Sequence, residues 1–100
     1  MKSQRSKDTD IPQRVKDRVW ERDRHQCIIC HRTYTAFPNA HYIPRSSGGL
    51  GIEENIVTLC HQCHREYDQS IERELYKTRI RQYLKRKYPN WDENKLYYKK

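Results

Sequence analysis

Two C-x-x-C pairs, Cys27-Ile-Ile-Cys30 and Cys60-His-Gln-Cys63, hold all four cysteines of a 100-residue chain. No other feature limits its folds so strongly. Only 34% of the residues are apolar, so the core must be thin, and a structural metal is the usual supplement to a core of this size. Paired knuckles at this spacing suit a closed tetrahedral zinc site with Cys27, Cys30, Cys60 and Cys63 as ligands. Two disulfides are the competing reading. Cysteines within one knuckle are poor partners for each other, and the start, Met-Lys-Ser-Gln-Arg-Ser-Lys-Asp, is polar rather than secretory, so metal ligation is expected. With no transmembrane or lipidation signal, a cytoplasmic location is expected.

Charge narrows the partner. The chain carries 21 Lys+Arg against 13 Asp+Glu, a formal net charge of +8, which favours a polyanion such as nucleic acid. A solvated Lys/Arg helix face gives the same composition, so charge alone does not decide.

Periodicity places the elements. Residues 1–10 read as a disordered basic tail, and residues 11–100 as one domain. A helix is expected from Pro12, with Val15, Val19 and Trp20 as its apolar stripe. Ala40 to Ile43 reads as a short strand ended by Pro44. Arg45 to Glu54, with Gly48, Gly49 and Gly51, reads as a loop, and Ile56-Val-Thr-Leu59 as the second strand of a hairpin. The second knuckle should open a helical region whose stripe is Tyr67, Ile71, Leu75, Ile80, Tyr83, Leu84 and Tyr88, stopped by Pro89. It can be one helix or two with a break near Gln69-Ser70. Trp91 and Leu96 are expected to fold back.

Taken together, His41, Pro44, Gly48-Gly49, Asn55 and Cys60-x-x-Cys63-His64 stand at the offsets of a known pattern. Over residues 27–66 the chain resembles the HNH endonuclease family, and in particular small bacterial and phage members with zinc knuckles. The resemblance implies an α+β fold: a ββα-metal motif with a structural four-cysteine zinc site, flanked by an N-terminal helix and a helical extension over 67–100. It implies a metal-dependent DNA endonuclease. His41 would be the general base, Asn55 the residue that pins the loop, and His64 the ligand of a catalytic divalent ion, Mg2+, Mn2+ or Ni2+. DNA, expected to be double-stranded, would be the substrate, and among phage relatives packaging proteins are potential partners.

One position departs from the family. Where most members place a metal-binding Asp, His or Glu just before the base, this chain has Ala40. His64 with water and the scissile phosphate would then hold the ion, or His61 and Asp68, at i−3 and i+4 on the same helix, would substitute. Arg45, Arg65, Lys77 and Arg81 are candidate DNA-backbone contacts. The competing functions are a catalytically weak or inactive zinc-stabilised DNA-binding module and a protein-interaction adaptor using the Tyr-rich helix.

Overall fold

A computed structural model describes residues 3–99. Two short helices, α1 (Gln4–Thr9) and α2 (Gln13–Arg22), precede a hairpin of β1 (Ala36–His41) and β2 (Ile56–Cys60), followed by α3 (His61–Gln69) and α4 (Arg73–Lys87). Turns of 3-10 helix at Arg45–Ser47 and Glu53–Asn55 fold the hairpin loop, and a third at Glu93–Lys95 closes the chain. The architecture is the α+β arrangement expected, with the ββα motif at its centre.

The two strands are antiparallel, and their register slips once. Phe37 pairs with Leu59 and Ala40 with Val57, so β1 carries one residue more than β2 over that stretch. The bulge falls at Pro38-Asn39, where Pro38 has no N–H for the ladder. Its consequence is large, because one extra residue reverses the alternation of side chains. Ala40 joins the side of Phe37 and Leu59, and His41 joins the side of Ile56.

Each side is covered differently. Ile56 packs with Val15 and Val19 of α2, an i, i+4 pair as the helical spacing predicts. Ala40, Val57 and Leu59 pack with Tyr67 of α3 and with Ile80 and Leu84 of α4. Leu96 is buried and the Trp91 indole N–H donates to the Glu54 carbonyl at 2.8 Å, so the C-terminal segment does fold back onto the loop.

Several expectations are corrected. The segment read as a disordered tail contains α1, capped by Ser3, whose side chain accepts from the Ser6 N–H. Thr9 at its end is buried. β1 begins four residues before the predicted strand, because hydrogen bonding continues across the bulge. The helical region is the two-helix alternative, broken at Ser70 as that reading placed it. Ile71 and Leu75, assigned to the buried stripe, are exposed, Ile71 completely: it falls in the turn between the helices, and Leu75 in the first turn of α4.

Candidate functional site

The knuckles lie at one end of the hairpin. The first is folded by hydrogen bonds from Cys27 N–H to the Arg32 carbonyl and from His31 N–H to the Cys27 carbonyl, both 2.9 Å, and Ile28 N–H joins it to β2 through Thr58. His31 takes a left-handed conformation with φ +65°. The second knuckle is the N-terminus of α3, where Cys60 is the cap and its sulfur accepts from the Cys63 N–H at 3.4 Å.

The four sulfurs lie within 4.8 Å of one another, and the Cys30 and Cys60 sulfurs are 3.5 Å apart. A disulfide needs about 2.05 Å, whereas thiolates on tetrahedral zinc at about 2.3 Å stand roughly 3.8 Å from each other. All four cysteines are free thiols, three of them buried. The donor set fits a zinc ion, and Cys27, Cys30, Cys60 and Cys63 could hold one.

At the other end of the hairpin, His41 is set by the N-terminal segment. Its Nε2 lies 2.8 Å from the carbonyl oxygen of Thr9, the last residue of α1. A carbonyl only accepts, so Nε2 carries the proton and Nδ1 is left as the basic nitrogen. Burial, and behind it the charges of Arg45 and His64, hold His41 below the ordinary histidine value of 6.5 against the opposing pull of Thr9 and Asp10. Burial therefore favours the neutral imidazole. His41 opens into a hollow shared with Asp10, Ile11, Lys16, Asn39 and Arg45, and Arg45 is ion-paired with Asp10 there.

Asn55 is fully buried. Its Oδ1 accepts from the Ile43 N–H at 2.8 Å, while Nδ2 donates to the carbonyls of Ile43 at 3.2 Å and Leu50 at 2.8 Å. One amide thus ties the end of β1 to the far side of the loop. Gly49 makes the approach feasible, since a Cβ there would sit 1.7 Å from the Ile43 oxygen.

His64 lies on α3, in a second hollow of about 300 Å³ with Phe37, Asn39, His61, Arg65 and Asp68. Its Nε2 is 3.6 Å from the Asp68 carboxylate, the i, i+4 neighbour. His61 is turned aside, its Nε2 3.1 Å from the Arg65 guanidinium. His64 and Asp68 therefore make a two-donor pair. Among the described residues, the only group of three or more close His, Cys, Asp or Glu donors is the cysteine cluster. A two-donor pair still suits a hard divalent cation that keeps water and takes substrate oxygens.

The two histidines thus occupy adjoining hollows that share Asn39, one on each side of the bulge. Arg45 and Arg65 each border one of them. Lys77 and Arg81 border neither: Lys77 lies over the Tyr42 ring at 5.8 Å, and Arg81 flanks Glu93. Tyr42 is buried, with its hydroxyl donating to Glu93 at 2.7 Å, so it is turned away from His41.

Sequence reasoning missed three contributors. Thr9 and Asp10 lie far outside the motif, and no local signal marks them. The third is Asp23, buried at the end of α2, which accepts from Arg22, from the Thr58 N–H at 2.8 Å and from the Tyr83 hydroxyl at 2.5 Å. Arg22 in turn donates to the Glu53 and Ile56 carbonyls at 2.7 Å. This pair fastens α2 to β2 and α4. A buried acid beside a buried arginine reads in sequence as ordinary surface charge.

Hairpin, following helix and four-cysteine clamp together define a ββα protein with the donor set of a knuckle-type zinc site. A family model described as HNH endonuclease matches residues 27–79, over half of the chain, and the chain belongs to the HNH endonuclease family. It is also similar to "Anaredoxin" of Nostoc sp. (strain PCC 7120 / SAG 25.82 / UTEX 2576), 37% identical over 43 residues that make up 43% of this chain and 57% of that protein. No solved structure matches. The family indicates a nuclease or DNA-binding role. No helix among the described residues is long and apolar enough to cross a membrane.

Proposed function

We propose that this chain is a metal-dependent DNA endonuclease that hydrolyses phosphodiester bonds, nicking or cutting double-stranded DNA. The observation that carries the reading is the setting of His41: half-buried, neutral, with one nitrogen fixed on the Thr9 carbonyl and the other free in a hollow beside Arg45. That is the arrangement a general base requires.

His41 Nδ1 would take the proton of a water attacking phosphorus, while Nε2–H on Thr9 steadies the imidazolium that forms. Arg45 lies close enough to meet a phosphate oxygen once Asp10 yields it. Asn55 holds the strand end and loop so that His41 and Arg45 keep their separation. His64 and Asp68 would hold the divalent cation, Mg2+, Mn2+ or Ni2+, which supplies positive charge against the leaving 3′ oxygen. Arg65 adds a backbone contact, and Lys77 and Arg81 would extend the path along α4. Zinc on the four cysteines would be structural.

Supercoiled plasmid incubated with each of the three cations should be nicked by the wild type and spared by His41→Ala, a loss of roughly a hundred- to ten-thousand-fold. Equal, EDTA-insensitive inactivity of both proteins would sink the reading. A zinc-stabilised DNA-binding module is the second reading, favoured by the donor set: Ala40 supplies no ligand, and among the described residues only two donors stand at the cation position. Binding that weakens steeply with salt, without nicking, would establish it.

A further inference from the structure

Phe37 is the chain's only phenylalanine, and 57% of it is exposed. It stands on β1 in the hollow that also contains His64, Arg65, Asn39 and Gln69. Leu59 forms the floor of that hollow beneath Phe37, its strand partner. An apolar ring held out to water in a polar hollow is not needed to close the core, whose Leu59 is already buried beneath it. One side of the space offers a flat aromatic face, another a guanidinium and the imidazole proposed to hold a cation, and two carboxamides border it. A ligand matching all three is anionic at one end, flat and aromatic at the other, with hydrogen-bonding edges.

A nucleotide has that chemistry, and a formal net charge of +8 favours it over an apolar peptide. The base must also be available. In an intact duplex both faces of each base are covered by its neighbours, so a ring can stack only on a base that has left the helix. We infer that the Phe37 hollow takes an unpaired nucleobase beside the phosphate at Arg65 and His64, making DNA with an unstacked base at the cut the preferred substrate. The inference rests on the nuclease reading and narrows its substrate class.

The bulge at Pro38-Asn39 makes the arrangement possible. It sets Phe37 in the hollow of His64 and Arg65 and His41 in the adjoining one, so a phosphate at their shared edge, Asn39, would lie between His41 and His64 with the base on Phe37.

The test uses duplexes carrying one 2-aminopurine, either paired or unpaired opposite an abasic site, bound to His41→Ala protein so that the DNA stays whole. The unpaired probe should bind on the order of ten-fold more tightly than the paired one and lose fluorescence as it stacks. Phe37→Ala should abolish that difference, and Phe37→Trp should restore it. Tyr34→Ala should retain it, since Tyr34 is exposed but outside the hollow. Equal binding of the two probes, or a preference that survives Phe37→Ala, overturns the inference and leaves Phe37 to a protein partner. Wild-type plasmid nicking is followed in parallel. Nicking without base preference overturns this inference alone, whereas preference without nicking overturns the nuclease reading and leaves a site for unpaired bases.

Discussion

The two ends of the hairpin are built on opposite plans. At the knuckle end, four donors of one kind converge within 4.8 Å, each supplied by a tight local turn. At the histidine end the parts come from across the chain: Thr9 from α1, Asp10 beyond it, His41 from β1, Arg45 from the loop and Asn55 from the turn just before β2. The first end is closed on itself and could be completed by one ion. The second is open, its two hollows divided by a bulge. A metal clamp needs only donors at bonding distance, whereas the general base proposed for His41 needs a fixed tautomer, a free nitrogen and room for substrate.

The sharpest way to break this contrast is to remove one clamp donor. Cys60→Ser should lose zinc and the fold together, because metal binding in small modules supplies about 10 kcal/mol or more of apparent folding free energy. Metal content and circular dichroism would show it, and a folded zinc-free variant would contradict the structural role. Asn55→Ala tests the other end. It leaves the Ile43 N–H and two carbonyls without their amide partner, at a cost of about 3 kcal/mol, enough to lower Tm by more than ~10 °C in a domain this small. A Tm within a degree or two of wild type would mean that the loop is held by something else.

Deleting residues 1–10 separates the two ends most cleanly. Zinc content should be unchanged, while nicking falls by roughly ten- to a hundred-fold as His41 loses the carbonyl that orients it. Full activity in the truncated protein would remove Thr9 from the site. The smallest effect is on pH. His41 titrates below 6.5, so its basic form is present above that value and nicking should fall only on the acid side. Arg45→Gln removes a cation that disfavours protonation, so the His41 pKa should rise and the acid limb move to higher pH. Movement to lower pH would contradict the placement of Arg45 beside His41.

Much of the local construction was legible beforehand. The C-x-x-C spacing, the β-rich run into Cys60 and the Val15/Val19 stripe each encode their own element, because a turn, a short strand and an amphipathic helix depend on neighbours in sequence. The helix break at Ser70 was legible as a place but not in its effect on the apolar stripe. Ile71 and Leu75 continue the apolar spacing on paper, but the helix stops at Gln69 and restarts at Arg73, so Ile71 falls in the turn and Leu75 in the first turn of a new helix. The placing of Tyr42 needs only local geometry, since neighbours along an extended chain point to opposite sides and it is turned away from His41.

By itself, then, the sequence indicated that four cysteines would meet where a small hairpin joins a helix, and which histidines and asparagine to examine around it. Tertiary structure decided what each of them meets. A single extra residue at Pro38-Asn39 reverses which side of the sheet His41 and Ala40 occupy, and that depends on pairing with β2, not on β1 alone. The partner of His41 is a backbone carbonyl 32 residues away in sequence. Every residue carries the same carbonyl, so no side-chain pattern can mark which one will be used; only the packing of α1 against the loop selects Thr9.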